Sequence, residues 1–387
     1  MIIGIDTRLY GTKHGGIGRY IKELILNLLK IDRENQYVFF VYNDKDKEAI
    51  KCDLQKCLSD KISFITSQFR WYSIKEQIMM PTVIKKTGID LMHFPHFNVP
   101  MSYNDPYVST IHDLIIHHFP DERATTLPLW LYRLKLIGYK KVIKRAVKNA
   151  RVIIAPSEFT KNDILKFYKI EAAKIKIVHE GVDLKSKCQM SNVKSNPNVK
   201  CQNLNNYLLY VGSVYPHKNL EKLVDAFVIL RNKYKVDVKL VLVGKIDYFY
   251  NQLQKYIISK YPNINYLISN IVFYGYADDS ELAQLYKNAK LFVFPSLYEG
   301  FGLPPLEAMS FGTPVAASNL SSIPEVCGDA AVYFDPNDID EIVEKIYPVI
   351  ASEAKQSLLR QKGFDQIKKY SWTKMAQETL QIYKNML

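Results

Sequence analysis

The alternation of short apolar runs with helix-period segments is the feature that most constrains this chain. A first series reads IIGID (2–6), YVFFVY (37–42), ISFIT (62–66), IDLMHF (89–94), YVSTIHD (107–113), VIIAPS (152–157) and KIKIVHEG (174–181). A second reads YLLYVGS (207–213), VKLVLVG (238–244), IVFYG (271–275), KLFVFPS (290–296), PVAASN (314–319) and AVYFDP (331–336). The runs are apolar almost throughout, as parallel strands covered by helices on both faces must be. Between them lie segments such as Ile17 to Lys30, with Ile17, Ile21, Leu24, Ile25 and Leu28 on one helical face. Two consecutive βα arrays predict an α/β protein of two doubly wound, Rossmann-like domains, with ligands at the C-terminal strand ends. The expected divisions are 1–184, a polar, Asn-rich linker or surface insertion at 185–206, 207–370, and an amphipathic helix at 371–387 that packs back on the first domain.

A chain of 387 residues exceeds the size at which one core keeps growing, and 48% apolar content is enough for two cores. The net charge of +13 points to anionic partners, whether phosphates, acidic headgroups or nucleic acid. Cysteines at 52, 57, 188, 201 and 327 form neither a disulfide framework nor a CxxC knuckle. MIIGIDTRLY reads as a first strand with no signal-peptide pattern, and no stretch approaches a membrane span. A cytoplasmic location is the expectation.

Four stretches carry chemistry. In LYEGFGLPPLEAMSFGTPV (297–315), glycines before a helix bring backbone N–H groups to an anion, while Glu299 and Glu307 would repel it. A composite ligand resolves the conflict, with phosphate for the backbone and vicinal hydroxyls for the carboxylates. A sugar nucleotide has both parts. In VGSVYPHKNLEKLVDAF (211–227) a strand enters a helix near Asn219, and Lys218 sits where its ammonium and the helix N–H groups converge. YGTKHGGIGRY (10–20) places Gly15, Gly16 and Gly18 after a strand, with spacing wrong for a dinucleotide fingerprint. In STIHDLIIHHF (109–119), His112 and Asp113 end a strand, where a histidine can donate to a hydroxyl or act as acid or base. His93 and His96 lack the helix or cysteine partners of a zinc site.

Together these stretches resemble the retaining, nucleotide-sugar-dependent glycosyltransferases of family 4, over nearly the whole chain. The most specific match is Glu299-GFGLPPL-Glu307 with the following GTPVAASNLSSIPEVCGDAAVYFDP; GGIGRY (15–20), SEFTKNDI (157–164), HEGVD (179–183) and HKNL (217–220) support it. The resemblance implies the GT-B architecture, two Rossmann-like domains facing across a cleft, and transfer of a hexose or deoxyhexose with retention. It implies a saccharide or lipid-linked acceptor, no metal, and a place in surface polysaccharide synthesis. GDP-mannose is the favoured donor, because the N-terminal and Glu299 loops look most like those of mannosyl- and rhamnosyltransferases. By position it assigns donor binding to Gly16, Ser213, His217, Lys218, Glu299, Gly300, Phe301, Gly302, Leu303 and Glu307, with ribose on Glu307 and pyrophosphate on Lys218. Gly15, Arg19, Tyr20, His112 and Asp113 fall on the acceptor side, and His112, Lys218 and Glu299 carry the reaction. Many relatives place an arginine where this chain has Ser213, leaving His217 or another basic group to replace it.

Three rivals are weighed. A glycoside hydrolase would use the two glutamates, but on one helix they would stand roughly 12 Å apart, too far for the usual pair. A metal-dependent transferase would use Asp44-Lys45-Asp46 or Asp338-Ile339-Asp340, which read as solvated turns or helix starts. A nucleic-acid binder would use the basic YRLKLIGYKKVIKRAVKNA (132–150); the same stretch suits a packed helix or a peripheral contact with an anionic membrane, on the inner face of the cell membrane. No nucleic-acid partner is expected.

Overall fold

The protein is described by a computed structural model covering residues 1–55, 60–121, 123, 125–182, 204–261 and 269–386. Most of the expected linker, Asp183 of HEGVD, and Cys57, Cys188 and Cys201 lie outside these residues. The chain divides into two compact units: Met1–Ile116, Pro128–Gly181 and Ser371–Leu387 form the first, His117–Leu127 and Val182–Tyr370 the second. Segment 117–127, placed by the sequence reading in the first domain, therefore clusters with the second.

Every apolar run of the first series becomes a strand: β1 (Ile2–Asp6), β2 (Gln36–Val41), β3 (Ile62–Thr66), β4 (Leu91–Phe94), β5 (Tyr107–Thr110), β6 (Val152–Ala155) and β7 (Ile175–Ile177). They form one parallel sheet in the order β3-β2-β1-β4-β5-β6-β7, so the winding reverses between β1 and β4. The crossovers include α1 (Gly15–Ile31), α2 (Asp44–Asp53), α3 (Ile74–Lys85), α4 (Leu129–Asn149) and α5 (Glu158–Phe167). In α1 the residues Ile21, Leu24, Ile25 and Leu28 are buried, the i, i+3, i+4, i+7 stripe that the pattern predicts. Asn43, Ser73 and Ser157 each accept a backbone N–H of the first turn that follows, which fixes where α2, α3 and α5 begin.

The second series also becomes strands: β8 (Tyr207–Val211), β9 (Lys239–Val243), β10 (Ile271–Gly275), β11 (Leu291–Phe294), β12 (Val315–Ser318) and β13 (Ala331–Phe334). Their parallel order is β10-β9-β8-β11-β12-β13, reversing between β8 and β11. Helices α6 (Leu220–Tyr234), α7 (Tyr248–Lys260), α8 (Asp279–Asn288), α9 (Leu303–Ser310), α10 (Ile339–Ile350) and α11 (Glu353–Gln366) flank the sheet. Leu220, Leu223, Val224 and Phe227 turn inward from α6, as expected. The last helix, α12 (Trp372–Lys384), is N-capped by Ser371 and belongs to the first unit, where it packs on α1. Among the described residues no helix is long and apolar enough to cross a membrane.

Candidate active site

In an open parallel sheet the loops leaving the strands on either side of the winding reversal diverge, one to each face, and leave a crevice. In the second unit those strands are β8 and β11, and the two loops carry Lys218 and Glu299. The chain leaves β8 through Gly212, turns in a short 3-10 segment at Pro216–Lys218, and passes Asn219 in the left-handed region before α6. Asn219 tolerates that conformation, and its amide donates to the Pro336 and Pro295 carbonyls at 2.7 and 3.3 Å. The Leu297 N–H donates to the His217 carbonyl at 2.8 Å. These bonds sew the Lys218 turn to the end of β11.

Lys218 Nζ reaches Glu299 Oε1 at 2.5 Å, with both side chains largely buried. Glu299 lies in the loop before α9 and Glu307 lies within α9, so the premise that both sit on one helix does not hold. Ser321 and Ser322 clamp this loop: the Glu299 N–H donates to Ser321 Oγ at 3.0 Å, and Ser322 Oγ donates to the carbonyls of Glu299 and Phe301 at 3.0 and 2.9 Å. The Phe301 ring is buried edge-on against Tyr370, so only its backbone is suited to ligand contact. Gly302 adopts a φ of 100°, a conformation open to glycine, immediately before Leu303. Pro304 and Pro305 then remove two N–H groups from the first turn of α9. The anion donors at this helix are therefore fewer than the glycine-loop pattern suggests. Glu307 accepts from the Tyr286 hydroxyl at 3.0 Å.

His217 was the expected stand-in for the arginine missing at Ser213. Burial, with the charge of Lys218 beside it, pushes its pKa down to about 3, so it stays neutral and does not supply that charge. Ser213 contributes a backbone carbonyl to the Tyr210 hydroxyl at 2.7 Å. Two residues after the first unit's Ile116 pack near the same loops: the His118 ring lies 4.8 Å from Tyr298, and Phe119 6.4 Å from His217.

In the first unit the reversal falls between β1 and β4. Gly15 and Gly16 open α1 after β1, and a side chain built on Gly16 would meet open space. Gly18 packs so closely on the Gly11 carbonyl that no Cβ fits. Arg19 follows on the same helix, and Tyr20 is buried with its hydroxyl 3.1 Å from Thr110 Oγ1. His112, beyond β5, has Nδ1 3.0 Å from Glu180 Oε1 and Nε2 3.0 Å from the Pro95 carbonyl. Asp113 accepts the Ile115 N–H at 3.0 Å. His93 is fully buried between the Tyr383 hydroxyl and Thr110, where it serves the core.

The partners that sequence reasoning left without a role are Glu180, Tyr286, Ser321, Ser322 and Asn219. Each lies inside or near a quoted motif, yet only folding reveals what it touches. Both Asp-x-Asp candidates are engaged in helix starts: Asp46 pairs with Lys13 at 2.5 Å, and Asp338 caps α10 by accepting the Glu341 N–H at 3.0 Å.

Two family profiles match the chain in succession, Glycosyltransferase Family 4 over residues 14–186 and Glycosyl transferases group 1 over residues 196–366. O-antigen chain mannosyltransferase B of Escherichia coli is 29% identical over 302 residues, covering 76% of this chain and 74% of that protein. Sucrose-phosphate synthase from Thermosynechococcus elongatus superposes with a TM-score of 0.74 at 19% identity, over 100% of this chain and 99% of its own. Anabaena HepE, solved with UDP and glucose, gives 0.70 at 18% identity, over 99% of each chain. Their shared fold is the GT-B architecture of two Rossmann-like domains, and this chain belongs to the family 4 glycosyltransferases.

Proposed function

We propose that the chain transfers mannose from GDP-mannose, with retention, onto a saccharide or lipid-linked acceptor in surface polysaccharide synthesis. The observation that carries this reading is the Lys218–Glu299 pair at the β8/β11 reversal, with Glu307 held by Tyr286 on the following helix. The similarity to an O-antigen chain mannosyltransferase supports the choice of sugar. Lys218 faces the diphosphate, where negative charge grows as the leaving group departs. Glu299, its partner in the free protein, turns to the hydroxyls of the transferred sugar, and Glu307 takes the ribose hydroxyls. Same-face attack, with the departing phosphate accepting the acceptor's proton, gives retention. His112 is assigned to the transferred sugar on the acceptor side, with Gly15, Arg19, Tyr20 and Asp113 near the acceptor.

The test compares thermal stabilisation by GDP, UDP, dTDP and ADP, followed by transfer assays with the sugar nucleotide of the best ligand. A ligand at 100 times its Kd raises stability by about 2.7 kcal/mol. GDP alone should do so, and preference for another nucleotide would overturn the donor assignment. The reaction is proposed to need no divalent ion, so transfer should persist in EDTA; activity that vanishes and returns with Mn²⁺ would refute this.

The same reading includes peripheral contact of α4 with an anionic membrane. The helix carries Arg133, Lys135, Lys140, Lys141, Lys144, Arg145 and Lys148 and no acidic residue. Only Ile143, Ala146 and Val147 are buried, while Trp130, Leu134 and Ile137 stand more than half exposed. Exposed apolar side chains among lysines suit an interface where the rings and stems enter and the charges meet headgroups.

A further inference from the structure

Both ring nitrogens of His112 face oxygen acceptors. Nδ1 stands 3.0 Å from the Glu180 carboxylate and Nε2 3.0 Å from the Pro95 carbonyl. A neutral imidazole has one N–H, so one of these oxygens would face a ring lone pair. The doubly protonated ring satisfies both. We infer that Glu180 and the Pro95 carbonyl hold His112 as an imidazolium, so that it serves sugar transfer as a fixed positive charge and not as a general base, with Glu180 its positioning residue. This rests on the assignment of His112 to the transferred sugar.

The surroundings agree. Glu180 is itself buried, and its carboxyl group has the His112 ring as its close partner at 3.0 Å. The Tyr20 ring meets His112 edge-on at 4.7 Å, and Thr160 Oγ1 donates to the His112 carbonyl at 3.3 Å, so ring and backbone are fixed together. Burial works against the charge, but the Glu180 bond and charge, the Pro95 carbonyl and Asp113 outweigh it and raise the pKa above the ordinary histidine value. The other histidines nearby, His93 and His96, are pushed down to about 3 by burial and then by the charge of His112, so they add no competing cation. A ring with both N–H groups engaged acts on the reacting oxygens through its field, which a low-dielectric site strengthens.

The experiment follows the His112 ring protons by NMR as a function of pH, assigned with His112→Gln, in the full-length protein and in Glu180→Gln. In parallel, kcat/KM for transfer is measured over the same range. His112 should titrate above the ordinary value of about 6.5. Glu180→Gln should lower that midpoint by about one pH unit or more, and the alkaline loss of transfer should move down by the same amount. A wild-type midpoint at or below the ordinary value overturns the inference, with no variant needed. A midpoint unmoved in Glu180→Gln removes Glu180 as the positioning residue. A midpoint that moves while the rate profile stays still overturns the catalytic use of the charge. Absence of transfer from every nucleotide sugar, with the NMR result intact, would overturn the functional reading and leave the imidazolium standing.

Discussion

At the residue scale, Glu307 and Lys218 should fail in different ways when truncated. On the proposed ribose assignment the hydroxyl-to-carboxylate bonds of Glu307 would exist before and during reaction, so Glu307→Ala should raise the donor KM roughly 10- to 100-fold, about 1.5 to 3 kcal/mol, with kcat nearly kept. Lys218, proposed to face the diphosphate, would meet charge that grows toward the transition state. With His217 held neutral and Ser213 where many relatives have arginine, it is the cation of this loop. Lys218→Ala should lower kcat by on the order of 100-fold as well as weaken binding. It would also leave Glu299 buried without its partner, so stability should drop, and Lys218→Ala/Glu299→Gln should recover stability without recovering rate. Normal steady-state constants for Lys218→Ala would assign the diphosphate to another group.

At the element scale, what the sequence made legible was whatever one strand or one loop decides alone. Strands buried on both faces must be apolar throughout, so each run could be seen without its neighbours, and the Lys218 and Glu299 loops showed themselves as strand-to-helix turns. What stayed hidden depends on long-range meeting. His112 finds Glu180 68 positions away, and His93 finds Tyr383 290 positions away. The pattern of α4 was ambiguous for a different reason: basic residues among apolar ones suit both a packed helix and an interfacial one until burial is known. Its exposed first half makes the test direct. Vesicles with anionic lipid should sediment the protein at low salt, and raising salt beyond the range where the Debye length is about 8 Å should weaken binding. Trp130→Ser with Leu134→Ser should reduce it at least tenfold. Equal binding to neutral vesicles would remove the role of anionic headgroups, and an indifferent double variant would leave α4 with no membrane role.

At the scale of the whole molecule, the first unit cannot be completed until the segment after the second unit, Ser371–Leu387, exists. The second unit is formed largely by the continuous stretch Val182–Tyr370, whereas the first needs Ser371–Leu387 from the far end. Met375, Ala376 and Tyr383 of α12 are fully buried there, and the Tyr383 hydroxyl stands 2.5 Å from His93 Nδ1 inside the core. The Trp372 backbone also packs so tightly on Gly181 that a Cβ at that position would clash. Burying a large apolar side chain contributes about 1.5 to 3 kcal/mol, so losing Met375 and Tyr383 together removes much of the 5 to 15 kcal/mol by which a domain is stable. A chain ending at Tyr370 should therefore lose hydrogen-exchange protection in α1 and β4 while the strands β8 and β11 keep theirs. Tyr383→Phe, which keeps the ring and removes one buried hydrogen bond, should lower protection of the first unit by about 1 to 3 kcal/mol and leave the protection of β8 and β11 unchanged. Full protection of α1 in the truncated chain would show that α12 merely covers the first unit, and uniform loss in both units would show that the two fold as one cooperative body.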